Sequence, residues 1–218
     1  MSASITFIWH GLSCFSIEAR NGDACANLVT DPFDPSCSLK LPRNLAGDVI
    51  TVSNGGAEHG NASAVKPSGE KKPLIITSPG EYEAGGLFVY GISASETAST
   101  TLYRFEIGDL SFAHLGNLGS GLSDEQRELL EDIDILLLPV GDVAVLNAKK
   151  AVEIVTELEP RIVIPMHYAV PGLKAKLDPV EKFLKEMGAG SSERIGKFKA
   201  VKKDLPAEET KVVVLELD

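Results

Sequence analysis

A chain of 218 residues can bury a sizeable core, and two domains of half that length would each be small, so one domain over residues 1–218 is expected. Hydrophobic content of 44% and charged content of 24% are ordinary for a globular protein and argue against disorder. The net charge of -10 repels polyanions, so a nuclease or nucleic-acid binder would need a local basic stripe.

The nearest candidate for such a stripe, GKFKAVKKD at 196–204, has Phe198 as its single aromatic and no arginine. It reads as a solvated hairpin or loop, and no nucleic-acid partner is expected. The first residues, MSASITF, lack the basic region and long apolar core of a signal peptide. No apolar run approaches the ~20 residues of a membrane helix. Cys14, Cys25 and Cys37 are odd in number and lack CxxC spacing, which implies neither a disulfide framework nor a cysteine-zinc site. The expected compartment is the cytoplasm, with no membrane partner.

Residues 5–9 and 13–19 read as paired strands around a turn at Gly11, rich in β-branched and aromatic residues. Residues 26–30 form a third strand, stopped by Pro32 and Pro35. The apolar run 48–53 then enters a Gly-rich turn followed by Glu58 and His59, the kind of strand exit where α/β proteins place chemistry. Residues 61–72 are an exposed connector, 74–78 and 87–92 are strands, and 101–107 with 110–115 make a hairpin across Gly108 and Asp109.

From there strands alternate with helices. Ser123 and Gln126 form a capping-box pair ahead of an inward stripe of Leu129, Leu130 and Ile133. The run 134–140 has the continuous apolar character of a fully buried strand. Asn147 caps a helix with Ala151, Ile154, Val155 and Leu158 inward, ended by Pro160. A buried strand at 161–166 delivers His167 and Tyr168. Asp178 and Pro179 open a third helix with Val180, Phe183, Leu184 and Met187 inward and Gly188 at its end, and 211–217 is a last strand.

Six segments in order carry a family resemblance: WHGLSCF at 9–15, TDPF at 30–33, TVSNGGAEHGN at 51–61, PGEYE at 79–83, HLGNLG at 114–119 and PMHY at 165–168. They resemble the metallo-β-lactamase superfamily, most of all its small cytosolic Zn-dependent hydrolase-like branch. That resemblance implies an α+β fold, a four-layer αββα sandwich, and hydrolysis at a dinuclear metal centre. Its loop pattern, His-x-His-x-Asp-His, falls on Asn54, Gly56, Glu58 and His59, so only the last histidine is intact. The family histidine of the opening segment is Leu12, while a histidine stands at His10.

The resemblance implies that the first metal would use Asn54 and Gly56, and that the bridging aspartate is Asn117. Glycine offers no side-chain ligand, and an amide at the bridge removes a negative charge between two cations. The expected dinuclear site is therefore eroded. The second set, Glu58, His59 and His167, gives two imidazoles and a carboxylate, workable for one divalent ion such as zinc, iron or manganese. The competing expectation is a metal-free pocket in a catalytically silent ligand- or protein-binding domain. Asn117 and His114 are the candidates for a catalytic or ligand-supporting role, with His10 able to replace a lost ligand only if its turn re-aims it. Glu81, Glu83 and Tyr168 border the same cleft by resemblance, each equally readable as solvated or core residues. The substrate, an ester, amide or phosphoester on this reading, and the oligomeric state are not fixed by the residues.

Overall fold

A computed structural model describes residues 2–94, 100–190 and 192–218. The first half holds β1 (Ser4–Gly11), β2 (Cys14–Asn21), β3 (Ala24–Thr30), β4 (Ala46–Gly47), β5 (Val49–Thr51), β6 (Lys66–Pro67), β7 (Leu74–Ile76), β8 (Gly80–Ala84), β9 (Leu87–Ser93) and β10 (Thr101–Ile107). The second half follows as β11 (Leu110–His114), α1 (Asp124–Leu129), β12 (Ile135–Pro139), α2 (Ala148–Leu158), β13 (Ile162–Met166), α3 (Val180–Glu186), β14 (Glu193–Ile195), β15 (Phe198–Val201) and β16 (Lys211–Leu215).

Two large sheets form the centre. One has the order β15-β1-β2-β3-β5-β7 and the other β14-β16-β13-β12-β11-β10-β9-β8; β4 and β6 make a short third sheet. Alternation along β1 explains their packing. Ile5, Phe7 and Trp9 are buried on one face, in one cluster with Phe105 and Phe112 of the facing sheet. Phe7 meets Phe112 edge-on at 5.4 Å, and Trp9 lies 4.7 Å from Tyr168. Such aromatic pairs are favoured beyond the area they bury.

β11, β12 and β13 are parallel neighbours in sequence order, with α1 and α2 in the connections. Each connection is a β-α-β crossover, the kind that packs its helix against a face of the sheet. Ala151, Ile154, Val155 and Leu158 of α2 and Val180, Phe183 and Leu184 of α3 join the main core there. The capping box of Ser123 and Gln126 and the Asn147 cap are both formed. The outer side of the six-stranded sheet is covered differently. Leu12, Cys14, Val29, Phe33, Ile50 and Val52 form a second cluster with Cys37, Leu39, Leu45 and Val65, supplied by loops and 3-10 turns at Pro35–Cys37 and Ala62–Ala64. The two-sheet α+β sandwich expected from sequence is present, with this outer layer made of turns.

Two local expectations are corrected. Leu129 is 47% exposed, because α1 ends there and the turn that follows buries Leu130 and Ile133 instead. Residues 198–201 are the edge strand β15, paired antiparallel with β1, rather than a solvated hairpin or loop, since Phe198 and Ala200 pack inward. Met187, half-buried at the cap of α3, packs against the main core as expected. Among the described residues, no helix is long and apolar enough to cross a membrane.

Candidate metal centre

The centre is assembled where three strand exits meet. After β3, Asp31 turns the chain with φ 41°, and after β13, His167 does so with φ 53°. Left-handed backbone is uncommon outside glycine and costs free energy that the surroundings must offset, so such residues gather at functional sites. Backbone bonds impose both turns: Asp31 N donates to Thr51 O at 2.8 Å and His167 N to Leu12 O at 2.9 Å. β5 runs on into Ser53 and the loop 54–60, where His59 N donates to Gly56 O at 3.1 Å.

The close approach of these exits depends on two glycines. A Cβ at Gly141 would stand 2.0 Å from His167 O, and one at Gly116, itself at φ 51°, would stand 2.3 Å from Ser53 Cβ. Only glycine fits against a neighbouring backbone so tightly.

Glu58, His59 and His167 come together here, each offering one ligand atom, with all three atoms within 4.8 Å of one another. The two imidazole rings stack at 5.3 Å with 7° between planes. Glu58 Oε2 is 3.5 Å from His167 Nε2, with His167 buried and Glu58 about one-third exposed. His59 Nε2 and Asn117 Oδ1 are buried side-chain atoms without a hydrogen-bond partner, and His167 Nε2 has only the Glu58 carboxylate, at the edge of hydrogen-bond range.

The far side of each ring is held. His59 Nδ1 donates to Asp31 Oδ2 at 2.8 Å, and the same carboxylate accepts Ser53 Oγ at 2.5 Å and, through Oδ1, Ser53 N at 2.6 Å. Burial alone would raise the Asp31 carboxyl, but the charge and hydrogen bond of His59, with Ser53, hold it below the usual range. His167 Nδ1 lies 3.0 Å from Ser13 Oγ. Desolvation keeps the His167 imidazole below the ordinary histidine value, and contact with His167 lowers Glu58 against the opposing effect of burial. Neutral imidazoles and an ionised carboxylate, with ring orientation fixed from behind, are the states in which these groups bind divalent ions.

The first-metal positions do not offer this. Asn54 Oδ1 accepts Gly56 N at 2.9 Å, and Gly56 is exposed and without a side chain. His114 is fully buried and both its ring nitrogens serve the backbone: Nε2 donates to Ser13 O at 2.9 Å and Nδ1 accepts Gly116 N at 3.2 Å. It therefore clamps two strand ends and has no free atom for a substrate. His10 is turned out by the irregularity between Trp9 and Gly11, with Nε2 2.7 Å from Ser16 Oγ, and does not join the ligands. Tyr168 donates to Leu215 O at 3.2 Å and packs on Trp9, a core role. Glu81 and Glu83 are exposed, Glu83 accepting Gly86 N at 2.8 Å.

Asp31 and Ser13 emerge here as site residues that the loop pattern alone does not mark. Both lie inside the segments TDPF and WHGLSCF, and a charged residue at the end of an apolar strand was the available signal for Asp31.

Comparison with known proteins gives this arrangement its family. A putative Zn-dependent hydrolase of the metallo-β-lactamase superfamily from Thermotoga maritima superposes with a TM-score of 0.76 and 34% identity, over 97% of this chain and 99% of that one. A metallo hydrolase from Ignicoccus hospitalis shares the fold at 19% identity, with a TM-score of 0.64 over 98% of this chain and 95% of that one. A metal-dependent hydrolase from Thermoplasma acidophilum is 26% identical over 193 residues, covering 76% of this chain and 84% of the relative. The β-lactamase superfamily domain model matches residues 6–167, the span from the first strand to the last candidate ligand, and the chain belongs to that family.

Proposed function

We propose that this protein is a metal-dependent hydrolase that works with one divalent ion, held by Glu58, His59 and His167. The observation that carries the reading is the convergence of the Glu58, His59 and His167 ligand atoms within 4.8 Å, with His59 Nε2 buried and unpaired and His167 Nε2 facing the Glu58 carboxylate. Leaving buried polar atoms unpaired costs about 1–3 kcal/mol each, and a bound cation removes that cost. A two-histidine, one-carboxylate set suits zinc, iron or manganese and leaves coordination positions open.

In this setting a divalent ion supplies Lewis acidity toward water and toward an electrophilic carbonyl or phosphoryl group. The chain's own residues do the rest. Asp31 keeps the His59 proton on Nδ1 and so keeps Nε2 available. Glu58, one-third exposed, is the member of the set in contact with solvent. Asn117 and the loop 54–56 supply no anion and no imidazole for a second ion, which is why the reading is mononuclear. The substrates that fit are small esters, amides or phosphoesters; a net charge of -10 repels long polyanions.

A second reading, a silent domain that binds a small ligand or a protein through the same cleft, is favoured by one observation. His59 and His167 are 2% and 0% exposed, and of the three candidate ligands Glu58 alone reaches solvent. Metal analysis of protein purified without chelator separates the two. The mononuclear reading expects about one ion per chain, lost in His167→Ala, together with chelator-sensitive hydrolysis of a panel of aryl esters and phosphoesters. No bound ion, and no thermal stabilisation by added zinc, would leave the silent domain.

A further inference from the structure

Ser13 occupies the turn between β1 and β2, fully buried, and is fastened from two strands. Its carbonyl accepts Thr30 Oγ1 at 2.9 Å and His114 Nε2 at 2.9 Å. Its hydroxyl is placed differently, with a choice of partners. Oγ lies 3.0 Å from His167 Nδ1 and 3.4 Å from Gly116 O.

The choice matters because the opposite edge of the same ring is the candidate ligand. An imidazole with its proton on Nε2 presents Nδ1 as an acceptor. An imidazole that offers the Nε2 lone pair to a cation carries its proton on Nδ1 and needs an acceptor there. A hydroxyl answers both demands. It can donate to Nδ1, or swing its hydrogen to Gly116 O and accept from Nδ1–H. A carboxylate cannot: Asp31 only accepts from His59 Nδ1, so His59 is held permanently in the ligand-ready form. The two imidazoles are thus prepared in different ways.

We propose that Ser13 is a positioning residue that lets His167 exchange tautomers without leaving a buried ring nitrogen unpaired, and that it thereby sets how tightly the Glu58–His59–His167 site takes a divalent cation. The inference rests on the single-ion reading above. The protons balance: His167 releases one from Nε2 beside Glu58, takes one up at Nδ1 and stays neutral, while Ser13 keeps its hydrogen and only rotates it.

Zinc titration of metal-free protein by calorimetry, paired with nitrogen-15 NMR of the histidine side chains, tests this. In the wild type, His167 is Nε2-protonated before zinc and Nδ1-protonated after it, while His59 is Nδ1-protonated throughout. Ser13→Ala weakens zinc binding by roughly 10–100-fold, the range for losing a partner behind a metal-binding histidine. Ser13→Cys, which keeps a weak donor and acceptor, falls between them. His167 already Nδ1-protonated without zinc, or a Ser13→Ala protein that binds zinc as tightly as wild type while His167→Ala does not, would overturn the role of Ser13 and leave the site standing. Wild-type protein that takes no zinc would overturn the underlying reading and this inference with it. Should Ser13→Ala fail to fold, the wild-type tautomers before and after zinc still decide.

Discussion

Asp31 receives three hydrogen bonds in a place water does not reach, two from Ser53 and one from His59. Removing the acceptor strands all three donors, and breaking a buried charged pair of this kind typically costs about 3–5 kcal/mol. Asp31→Ala should lower the stability of metal-free protein by that order in urea denaturation and also weaken zinc binding, because His59 loses its orientation. A variant as stable as wild type would show that Asp31 is not the fixed point of the centre. The missing first-metal ligands are a residue-scale matter too. A Cβ at Gly56 would meet only Asn54 Oδ1, at 3.2 Å, so the first atom of a side chain has room there once Asn54 is also changed. The combined variant Asn54→His, Gly56→His, Asn117→Asp should bind one zinc ion per chain more than the natural chain, measured by metal analysis after zinc loading. An equal ratio in both would show that more than ligand identity excludes the further ion.

Strand exits, more than helices, decide where the ligands point. β12 is followed by Gly141, against which the His167 carbonyl is pressed, and β11 by Gly116, which sits on Ser53. Gly141→Ala would force the His167 turn out of place and should cost about 3 kcal/mol or more, as overpacking against backbone does. Its thermal midpoint should fall well below that of Ser123→Ala, which loses one helix cap at about 1 kcal/mol; equal midpoints would mean that the turn relaxes freely. The elements themselves were largely legible. Alternation in β1 and β2, the caps at Ser123 and Asn147, and the apolar runs of β12 and β13 follow from side-chain period and local chemistry. Less legible was whatever depends on partners far along the chain. Nothing local in 198–201 says that it completes a sheet beside β1, and nothing in HLGNLG says that His114 is consumed by the backbone of Ser13 and Gly116. The gathering of Glu58, His59 and His167 was readable from the family pattern, whereas the tie from Ser13 to His167 spans 154 residues and has no sequence period.

Across the whole molecule, burial disfavours the charged form of three histidines, His10, His114 and His167. Desolvation keeps His10 and His114 below the ordinary imidazole value, with Asp218 opposing it at His10. In the unfolded chain the same rings take up protons near pH ~6.5. Below that point the unfolded state binds more protons than the folded one, so stability is full above it and declines as pH falls toward the lower folded-state values. The urea midpoint should therefore drop between about pH 7.5 and 5.5, and by less in His10→Gln, which keeps a polar partner for Ser16 without a proton to gain. A flat profile across that interval would contradict neutral burial. The layer of turns over the six-stranded sheet has a longer reach. Asn54 is half-buried, and Gly55, Gly56 and Ala57 lie in solvent. Substitutions in this stretch are felt by chemistry and hardly at all by folding, so selection on stability passes over them. Ligand chemistry in this stretch is thus separable from the framework, and the number of ions the cleft takes can be altered by exchanging exposed loop residues while both sheets stay as they are.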